Sequence, residues 1–350
     1  MDAVDRRASA RVVTLGEIML RLKSPGNERL LQSPALEATL GGGEANVAVS
    51  LAAFGVQARF VTALPPGAIG DAAVAELRRH GVETDFVVRR PGRLGIYFLE
   101  TGAAQRASSV IYDREGSAMS LAGTSEFDWP TILDGAAWFH VSGITPALSA
   151  SAADVTRAAL EAAATRGVTT SLDLNYRSKL WQYGRSAPEV MRGLMEHVDV
   201  AIGNEEDCQR SLDIGSPAGV TSGELDAGMY ESLTAEVMRS FPRLSQVAIT
   251  LRQSRGADIN GWSACARDEQ GFRVGAAYDI VDIVDRVGSG DAFAAGLIAA
   301  RLRGLPSAEA LDFAIAAGCL KHSIPGDFNR VSQAEVEKLM SGDASGRVSR

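Results

Sequence analysis

The sequence has few cysteines, and they form no recognisable motif. Its 350 residues include three, Cys208, Cys265 and Cys319, without a Cys-x-x-Cys pair or a histidine cluster beside them. An odd number of widely spaced cysteines argues against a disulfide framework and against a structural zinc site. We therefore expect reduced, mostly buried thiols in a cytoplasmic protein.

An excess of basic charge is also lacking. Lys and Arg number 35 against 43 Asp and Glu, so the formal net charge is −8. This balance predicts no nucleic-acid partner. It also means that an anionic substrate has to be captured by a few placed arginines rather than by the overall field of the protein.

Long hydrophobic runs are absent as well. The most apolar stretch, Ala292–Ala300, ends at Arg301 and is far too short to cross a membrane. The first residues, MDAVDRRASARVV, contain no apolar segment of signal-peptide length. These features predict no membrane partner, and a chain that is 46% hydrophobic and 22% charged suits one globular domain over residues 1–350.

Strand-like and helix-like stretches alternate along most of the chain. Ala58–Leu64, for example, precedes a helical stretch from Asp71 to His80 that Gly81 ends. Such alternation predicts an α/β protein with a mostly parallel sheet covered on both faces. Residues 341–350 are polar and predict a disordered tail.

Two regions break this alternation. Residues 15–40 and 93–118 contain short strand patterns without helices between them, and predict a small sheet that stands off the main domain as a lid. Because alternate side chains of a strand share a face, Tyr112 and Arg114 lie together, and Tyr97 joins them if the two strands pair. Two tyrosines and an arginine on one face are typical of a pocket wall.

The segment Asp285–Gly296 is the most informative part of the sequence. Gly288, Ser289 and Gly290 precede an alanine-rich helix, and the uncovered N–H groups of a helix start attract anions. One interpretation makes Asp291 an ordinary helix cap. The other makes the amides hold a transferring phosphoryl group while Asp291 takes a proton from the attacking hydroxyl, and it is favoured because a carboxylate beside a phosphate otherwise only repels it.

Two common nucleotide-binding motifs are excluded. The sequence contains no GxxxxGK[ST], and Phe293 stands where a GxGxxG fingerprint needs its third glycine. A second glycine-rich segment, Gly41-Gly42-Gly43, instead precedes Asn46. Three adjacent glycines permit close approach of a ligand to the backbone, and Asn46 predicts the start of a helix that ends near Gly55.

Together the two glycine segments resemble the signatures of the ribokinase-like (PfkB) family of carbohydrate kinases. They occur in the family's order, about 240 residues apart, with Arg286 and Ser289 in place of the usual Thr and Ala. The resemblance implies a three-layer α/β/α ribokinase-like domain with a small β-sheet lid. It also implies ATP as phosphoryl donor, Asp291 as general base and the amides of Gly288–Gly290 as an anion hole.

The resemblance further assigns the nucleotide and cation positions. Asn204-Glu-Glu-Asp207 is similar to the family's NxxE motif, which implies Mg²⁺ bound through water near Glu206 and Asp207. Thr250 and Gly256 match the nucleotide loop, although the segment Thr250–Ala257 is longer and more basic than usual. Some members bind a monovalent cation at the position of Asp285, which leaves K⁺ open here.

The substrate assignment combines chemistry with resemblance. Arg114 and Arg177, in an acidic protein, suggest a substrate with its own negative group, because arginine pairs bidentately with carboxylate. Several segments, GIYFLE, VIYDREGSA, DLNYRSKLW and HSIPGDFN, resemble the 2-keto-3-deoxygluconate kinase branch. That branch implies a sugar-acid site formed by Gly42, Asn46, Tyr97, Tyr112, Arg114, Arg177 and Asp327.

Other functions stay open. A fructokinase or another sugar kinase of the family would share every catalytic residue, and a phosphosugar kinase would also need two arginines. A non-catalytic sugar-acid binding protein is a further alternative, against which the intact Gly-Ser-Gly-Asp segment argues. Lids of this kind often pair in dimers within the family, so the resemblance also allows a homo-oligomer through the lid.

Overall fold

The computed structural model describes residues 10–215 and 227–342, and the strands and helices below are those of this part of the chain. In chain order the strands are β1 (Arg11–Leu15), β2 (Met19–Lys23), β3 (Glu37–Gly41), β4 (Gln57–Leu64), β5 (Val87–Arg89), β6 (Gly95–Glu100), β7 (Ser109–Asp113), β8 (Ala136–Ser142), β9 (Thr169–Asp173), β10 (Val200–Gly203), β11 (Gln246–Ser254), β12 (Asn260–Asp268), β13 (Gly271–Val274) and β14 (Tyr278–Ile280).

The helices are α1 (Gly43–Ala53), α2 (Ala68–Arg79), α3 (Trp129–Ile132), α4 (Ile144–Ala147), α5 (Ala150–Thr165), α6 (Ala187–Met195), α7 (Glu205–Leu212), α8 (Ala227–Ser240), α9 (Ser289–Leu302), α10 (Ser307–Lys321) and α11 (Gln333–Met340). The predicted tail falls almost wholly on residues 343–350, which lie outside the described residues. Among the described helices, none is both long and apolar enough to span a bilayer.

Ten of the described strands form one large sheet in the order β13-β12-β11-β10-β9-β8-β1-β4-β5, with β14 also paired to β12. From β11 to β5 all neighbouring strands are parallel. β12 pairs antiparallel with β11, and β13 and β14 each pair antiparallel with β12. Parallel strands all end at one edge of the sheet, so loops from distant parts of the sequence meet there.

Helices cover both faces of this sheet. Val12 of β1 packs with Phe293 of α9 and Phe313 of α10 on one face, whereas the next residue, Val13, packs with Leu160 of α5 on the other. Successive strand residues point to opposite faces, so a run of apolar residues supplies two cores at once. This arrangement is the predicted three-layer α/β/α architecture with a mostly parallel sheet.

A second, four-stranded sheet has the order β3-β2-β6-β7. Its strands fall within the two helix-poor regions of the sequence. β2 pairs in parallel with β6, with Met19 opposite Gly95 and Arg21 opposite Tyr97, although 76 positions separate the paired residues. Met19, Tyr97 and Leu99 form a small apolar cluster on its inner face, against Val287 of the main domain. We refer to this four-stranded sheet as the lid sheet.

Candidate active site

The start of α9 is a helix N-terminus that opens directly after a glycine turn. Gly288 is the residue before the helix and has a left-handed backbone with φ of 85°, which glycine adopts without strain. A Cβ at Gly288 would lie 2.2 Å from the carbonyl oxygen of Asp327, so no other residue fits. The helix begins at Ser289, and its first N–H groups have no partner within the helix. The macrodipole adds positive potential at the same place.

Asp291 lies in the first turn of α9, inside the helix rather than at its cap. Its Oδ2 accepts a hydrogen bond of 2.6 Å from Nδ2 of Asn46. Burial raises the pKa of Asp291 to about 7; the hydrogen bond from Asn46 lowers it, and the negative Asp327 and Glu44 raise it. A carboxylate with a pKa near neutrality is suited to accept a proton at physiological pH.

The glycine segment before α1 differs from the prediction in one respect. We expected Asn46 to open the helix, but α1 begins at Gly43 with Gly42 as its cap, so Asn46 lies one turn inside. The Asn46 N–H donates to the carbonyl oxygen of Gly42 at 2.7 Å, which is the first hydrogen bond of the helix. Only glycine fits at position 42, since a Cβ there would lie 2.0 Å from the carbonyl oxygen of Glu17. Instead of capping, Asn46 accepts from the Gly42 N–H at 3.1 Å and donates to Asp291.

Glu44, in the first turn of α1, is a buried residue that the sequence analysis missed. Its Oε1 accepts hydrogen bonds from the Ser142 N–H, the Ser142 hydroxyl and the Thr145 hydroxyl at 2.9, 2.8 and 2.7 Å. Burial nevertheless raises its pKa. These bonds fix α1 against the carboxyl end of β8 and thereby position Asn46.

The lid sheet presents Tyr97, Tyr112 and Arg114 to the site. Tyr97 and Tyr112 are direct partners across β6 and β7, with ring centroids 6.0 Å apart. The Tyr97 hydroxyl donates to Asp327 Oδ1 at 2.5 Å. Arg114 follows β7, is buried, and its Nε donates to Glu17 Oε2 at 2.5 Å. Its Nη1 is buried and has no hydrogen-bond partner among the described residues.

Arg21 of β2 is a second residue that the sequence analysis missed. It is 1% exposed, and its guanidinium pairs with Asp327 at 2.6 Å and with Asp285. These two aspartates raise its pKa against the lowering effect of burial, which is the largest single influence. Strand periodicity could have identified Arg21 as buried, because it shares a face of β2 with the apolar Met19.

The carboxyl ends of β9 and β10 supply the acidic side of the site. The Asn204 side chain caps α7 by accepting a hydrogen bond from the Asp207 N–H at 2.8 Å. The Asp207 carboxylate in turn accepts one from the Asn204 N–H at 3.0 Å. The other carboxylate oxygen of Asp207 accepts from the Tyr176 N–H at 2.8 Å. Burial raises the pKa of Asp207 to about 6. The oxygens of Asp207 are therefore engaged, whereas Glu206 is exposed.

This acidic edge is compatible with magnesium held through nucleotide and water. Among residues 10–215 and 227–342, no three His, Cys, Asp or Glu side chains come together as a metal cluster. In kinases Mg²⁺ needs no such cage, because it keeps several waters and is bound by substrate phosphates with one or two carboxylates. Glu206, exposed at the wall of the cavity, fits that pattern. Asp207 lies beside it with both oxygens accepting N–H groups, so its part is to fix the start of α7 and the charge of this edge.

The predicted nucleotide loop is largely strand. β11 continues to Ser254 because it pairs with β12 as far as Asn260, so Thr250 lies within the sheet and only residues 255–259 form the turn. Thr250 lines the cavity, but Gly256 does not. A third missed residue, Arg252, lines the cavity and donates to the Ser289 hydroxyl at 2.8 Å.

One cavity of about 630 Å³ lies between the lid sheet and the carboxyl edge of the large sheet. It brings together most of the residues that the sequence analysis assigned to the site and leaves out Gly256 and Asp285. Those that line it are Gly42, Asn46, Tyr97, Tyr112, Arg114, Arg177, Asn204, Glu206, Asp207, Thr250, Gly288, Ser289, Gly290, Asp291 and Asp327.

Known proteins with similar sequence and structure agree with this fold. A crystal structure of 2-dehydro-3-deoxygluconokinase from Thermotoga maritima superposes with a TM-score of 0.90 and 47% identity, covering 95% of this chain and 100% of that one. The 2-dehydro-3-deoxygalactonokinase of Haloferax volcanii is 35% identical over 97% of this chain and 99% of its own length. A fructokinase of Klebsiella pneumoniae is 28% identical over 89% of this chain and 92% of its own length.

The family signature itself extends over nearly the whole chain. The profile of the pfkB family carbohydrate kinases matches residues 9–331. This span includes both glycine segments, the lid sheet and all the cavity residues described above. The chain therefore belongs to the pfkB family of carbohydrate kinases, phosphotransferases that use an alcohol group as acceptor.

Proposed function

We propose that the protein transfers the γ-phosphoryl group of ATP to the terminal hydroxyl of 2-keto-3-deoxygluconate. The observation that carries the proposal is one cavity that contains both Asp291, an acid with a pKa near 7, and Arg114, a buried arginine with an unpartnered Nη1. The names of the Thermotoga and Haloferax relatives support a 2-keto-3-deoxy sugar acid as the substrate class.

The phosphoryl side of the reaction depends on α9. The N–H groups at Gly288–Gly290 hold the transferring group, and Asp291 accepts the proton of the attacking hydroxyl. The hydroxyl oxygen then forms a bond to the γ-phosphorus while the bond from that phosphorus to the β,γ-bridging oxygen breaks, and ADP leaves. Mg²⁺, held with the phosphates and water near Glu206 and Asp207, supplies neutralisation of phosphate charge.

The sugar side depends on the lid sheet. Arg114 has a free N–H to offer a carboxylate even though its Nε is bound to Glu17. Arg177, after β9, lines the same cavity, and its Nη1 donates to the main-chain carbonyl oxygen of Tyr176. Two guanidinium groups at the wall of one cavity favour an anionic sugar over a neutral one, because carboxylate recognition by arginine provides both charge and orientation.

The first experiment measures ADP release against a panel of substrates: 2-keto-3-deoxygluconate, 2-keto-3-deoxygalactonate, fructose, ribose and fructose 6-phosphate. We expect the highest kcat/KM for the gluconate-derived acid. A preference for fructose would favour the fructokinase function that the Klebsiella relative performs. Binding of the sugar acid without any ADP release would instead identify a non-catalytic binding protein.

The second experiment tests Asp291 as the base. Asp291→Asn keeps the size of the side chain but removes its basicity, so we expect kcat to fall by about 10²–10⁴-fold with the fold unchanged. Circular dichroism and nucleotide affinity check the fold. A kcat within about threefold of wild type would exclude the proposed base.

The third experiment tests carboxylate recognition. Because Arg114 and Glu17 form a buried pair, the double variant Arg114→Gln with Glu17→Gln removes both charges and leaves neither unpaired. We expect the KM for the sugar acid to rise by about tenfold to a hundredfold and the KM for fructose to change little. The control is Arg93→Ala, a partly exposed arginine that pairs with Asp113 outside the cavity. Equal effects on both substrates would contradict the assignment.

A further inference from the structure

Lys321, the last residue of α10, is a fully buried lysine that the proposed reaction does not use. Its ammonium donates to the main-chain carbonyl oxygen of Ile324 at 3.0 Å and to that of Asp285 at 3.4 Å. Among the described residues no carboxylate oxygen lies within 4 Å of it. An ammonium whose acceptors are carbonyl oxygens is bonded in the way that a potassium ion is.

Asp285, whose carbonyl oxygen accepts from Lys321, is also the position at which some family members bind a monovalent cation. The residues present do not fit one. Oδ1 of Asp285 accepts from the Val287 N–H at 3.1 Å, and Oδ2 accepts from the Gly326 N–H at 3.1 Å and from Arg21. Since its carboxylate oxygens accept from N–H groups and its carbonyl oxygen accepts from Lys321, Asp285 has little left to offer a free cation.

The position of Lys321 relates directly to the anion hole. The Cε of Lys321 lies 3.3 Å from where a Cβ would stand on Gly288, so the lysine stem packs beneath the turn that opens α9. The N–H groups of Val284 and Asp285 donate to the carbonyl oxygen of His322, the next residue along from Lys321, at 2.9 and 3.2 Å. The end of α10 and the turn Asp285–Gly288 are thus joined by the main chain and by the ammonium.

The four buried charged side chains at this turn are two cations and two anions. Arg21 and Lys321 are cations, Asp285 and Asp327 are anions, and all four are buried. A further monovalent cation beside the Asp285 carbonyl oxygen would face the buried Lys321 ammonium, and like charges in the interior repel each other.

We infer that the Lys321 ammonium takes the place of a free monovalent cation, joins the carbonyl oxygens of Asp285 and Ile324, and makes this kinase independent of K⁺. Lys321 is a positioning residue, because it acts on phosphoryl transfer only through the turn that carries Gly288. Of the two measurements that test the inference, only the turnover assay rests on the proposed function, because it needs kinase activity on the proposed sugar acid. Thermal stability, the second measurement, depends on neither.

The wild-type enzyme provides the first test. We expect its turnover and its Tm to stay the same when Na⁺, K⁺, NH₄⁺ or tetramethylammonium is the only monovalent cation at one ionic strength. Severalfold activation by K⁺, or a Tm that rises with K⁺ but not with tetramethylammonium, would overturn the inference. This test needs no variant, so it decides even if every variant fails to fold.

Lys321→Ala provides the second test, because it removes the ammonium and leaves space for a small cation. We expect its Tm to fall by roughly 5–10 °C and to recover in part with about 0.1 M K⁺, NH₄⁺ or methylammonium, since a cation that binds only the folded state stabilises it. Tetramethylammonium is too large and should have no effect. Turnover should follow Tm in its response to the cations.

Lys321→Met is the matched control. Methionine fills most of the lysine stem but offers neither charge nor space, so we expect a lower Tm that no cation restores. Recovery of Lys321→Met by K⁺ to the same extent as Lys321→Ala would show a general salt effect and contradict the inference. Failure of every cation to raise the Tm of folded Lys321→Ala would contradict it as well.

Discussion

Asp291 and its donor Asn46 set the protonation state on which the proposed chemistry depends. Burial raises the pKa of the carboxylate to about 7, while the N–H of Asn46 lowers it by stabilising the ionised form. Only the ionised form accepts a proton. We therefore expect kcat/KM to rise with pH up to about 7 and to level off above it.

Asn46→Ala tests this arrangement at a single residue. Without the donor at 2.6 Å the ionised carboxylate is less stable, so the pKa rises and the acid limb of the kcat/KM profile moves up by about one to two pH units. The measurement is the pH profile of both enzymes. Ser50→Ala is the control, because Ser50 bonds to the main-chain oxygen of Asn46 and not to Asp291. A shift to lower pH, or none, would contradict the expected role of Asn46.

Residues within the motifs could be predicted, and their distant partners could not. Gly288, Gly290 and Asp291 are close in sequence, and local chemistry alone predicts an anion-binding helix start. Arg21 was missed because its partners, Asp285 and Asp327, lie 264 and 306 positions away. A single sequence contains the charges of such a pair but not their pairing.

The first turn of α9 allows stability and catalysis to be separated with one methyl group. A Cβ added to Gly290 would meet no atom within 4 Å, because this position faces the cavity. Gly290→Ala should therefore stabilise the folded protein by about 0.5–1 kcal/mol, as alanine does within a helix. It should also lower kcat by about tenfold or more, since the methyl group enters the space proposed for the phosphoryl group.

Gly288→Ala is the contrasting variant in the same turn. Its φ of 85° and a Cβ 2.2 Å from the Asp327 carbonyl oxygen predict a lower free energy of unfolding as well as lower activity. Urea unfolding and turnover of both variants are the measurements. If Gly290→Ala retained full activity, the space beside Gly290 could not be where the phosphoryl group is transferred.

Elements were predicted better than their ends. Apolar runs identified the strands, because a strand buried on both sheet faces requires apolar residues throughout. Glycines identified the ends of helices, because a residue in the left-handed conformation, commonly glycine, often ends a helix. The prediction opened α1 at Asn46 and made Thr250–Ala257 a loop, and both bounds were wrong, because α1 starts at Gly43 and β11 extends to Ser254. The length of β11 depends on its pairing with β12, a contact with another segment that local sequence does not show.

At the scale of the whole molecule, the lid sheet and the main domain are joined at the floor of the cavity. Arg21 on β2 and Tyr97 on β6 both reach Asp327, and Arg21 also pairs with Asp285 before α9. The substrate side and the phosphoryl side therefore share one buried group of charges. Opening of the lid sheet at this point would expose or separate those charges, so the joint resists it.

Arg21→Met tests whether this joint holds the molecule together. The change leaves Asp285 and Asp327 with Lys321 as the cation of their buried group, and breaking a buried ion pair on one side costs about 3–5 kcal/mol. Tyr97→Phe removes only one hydrogen bond to the Asp327 carboxylate and should cost about 1.5–3 kcal/mol. Urea unfolding followed by circular dichroism and by tryptophan fluorescence measures both.

The double variant Arg21→Met with Asp327→Asn distinguishes charge from packing. It removes one cation and one anion, so we expect part of the stability lost in Arg21→Met to return, because the remaining buried charges, Asp285 and Lys321, again balance. The number of transitions carries the rest of the argument. If the joint unites the lid sheet and the main domain, the wild-type protein unfolds in one transition and Arg21→Met unfolds in two, with the lid sheet first. Two transitions already in the wild-type protein would mean that contacts other than this charge group determine cooperativity.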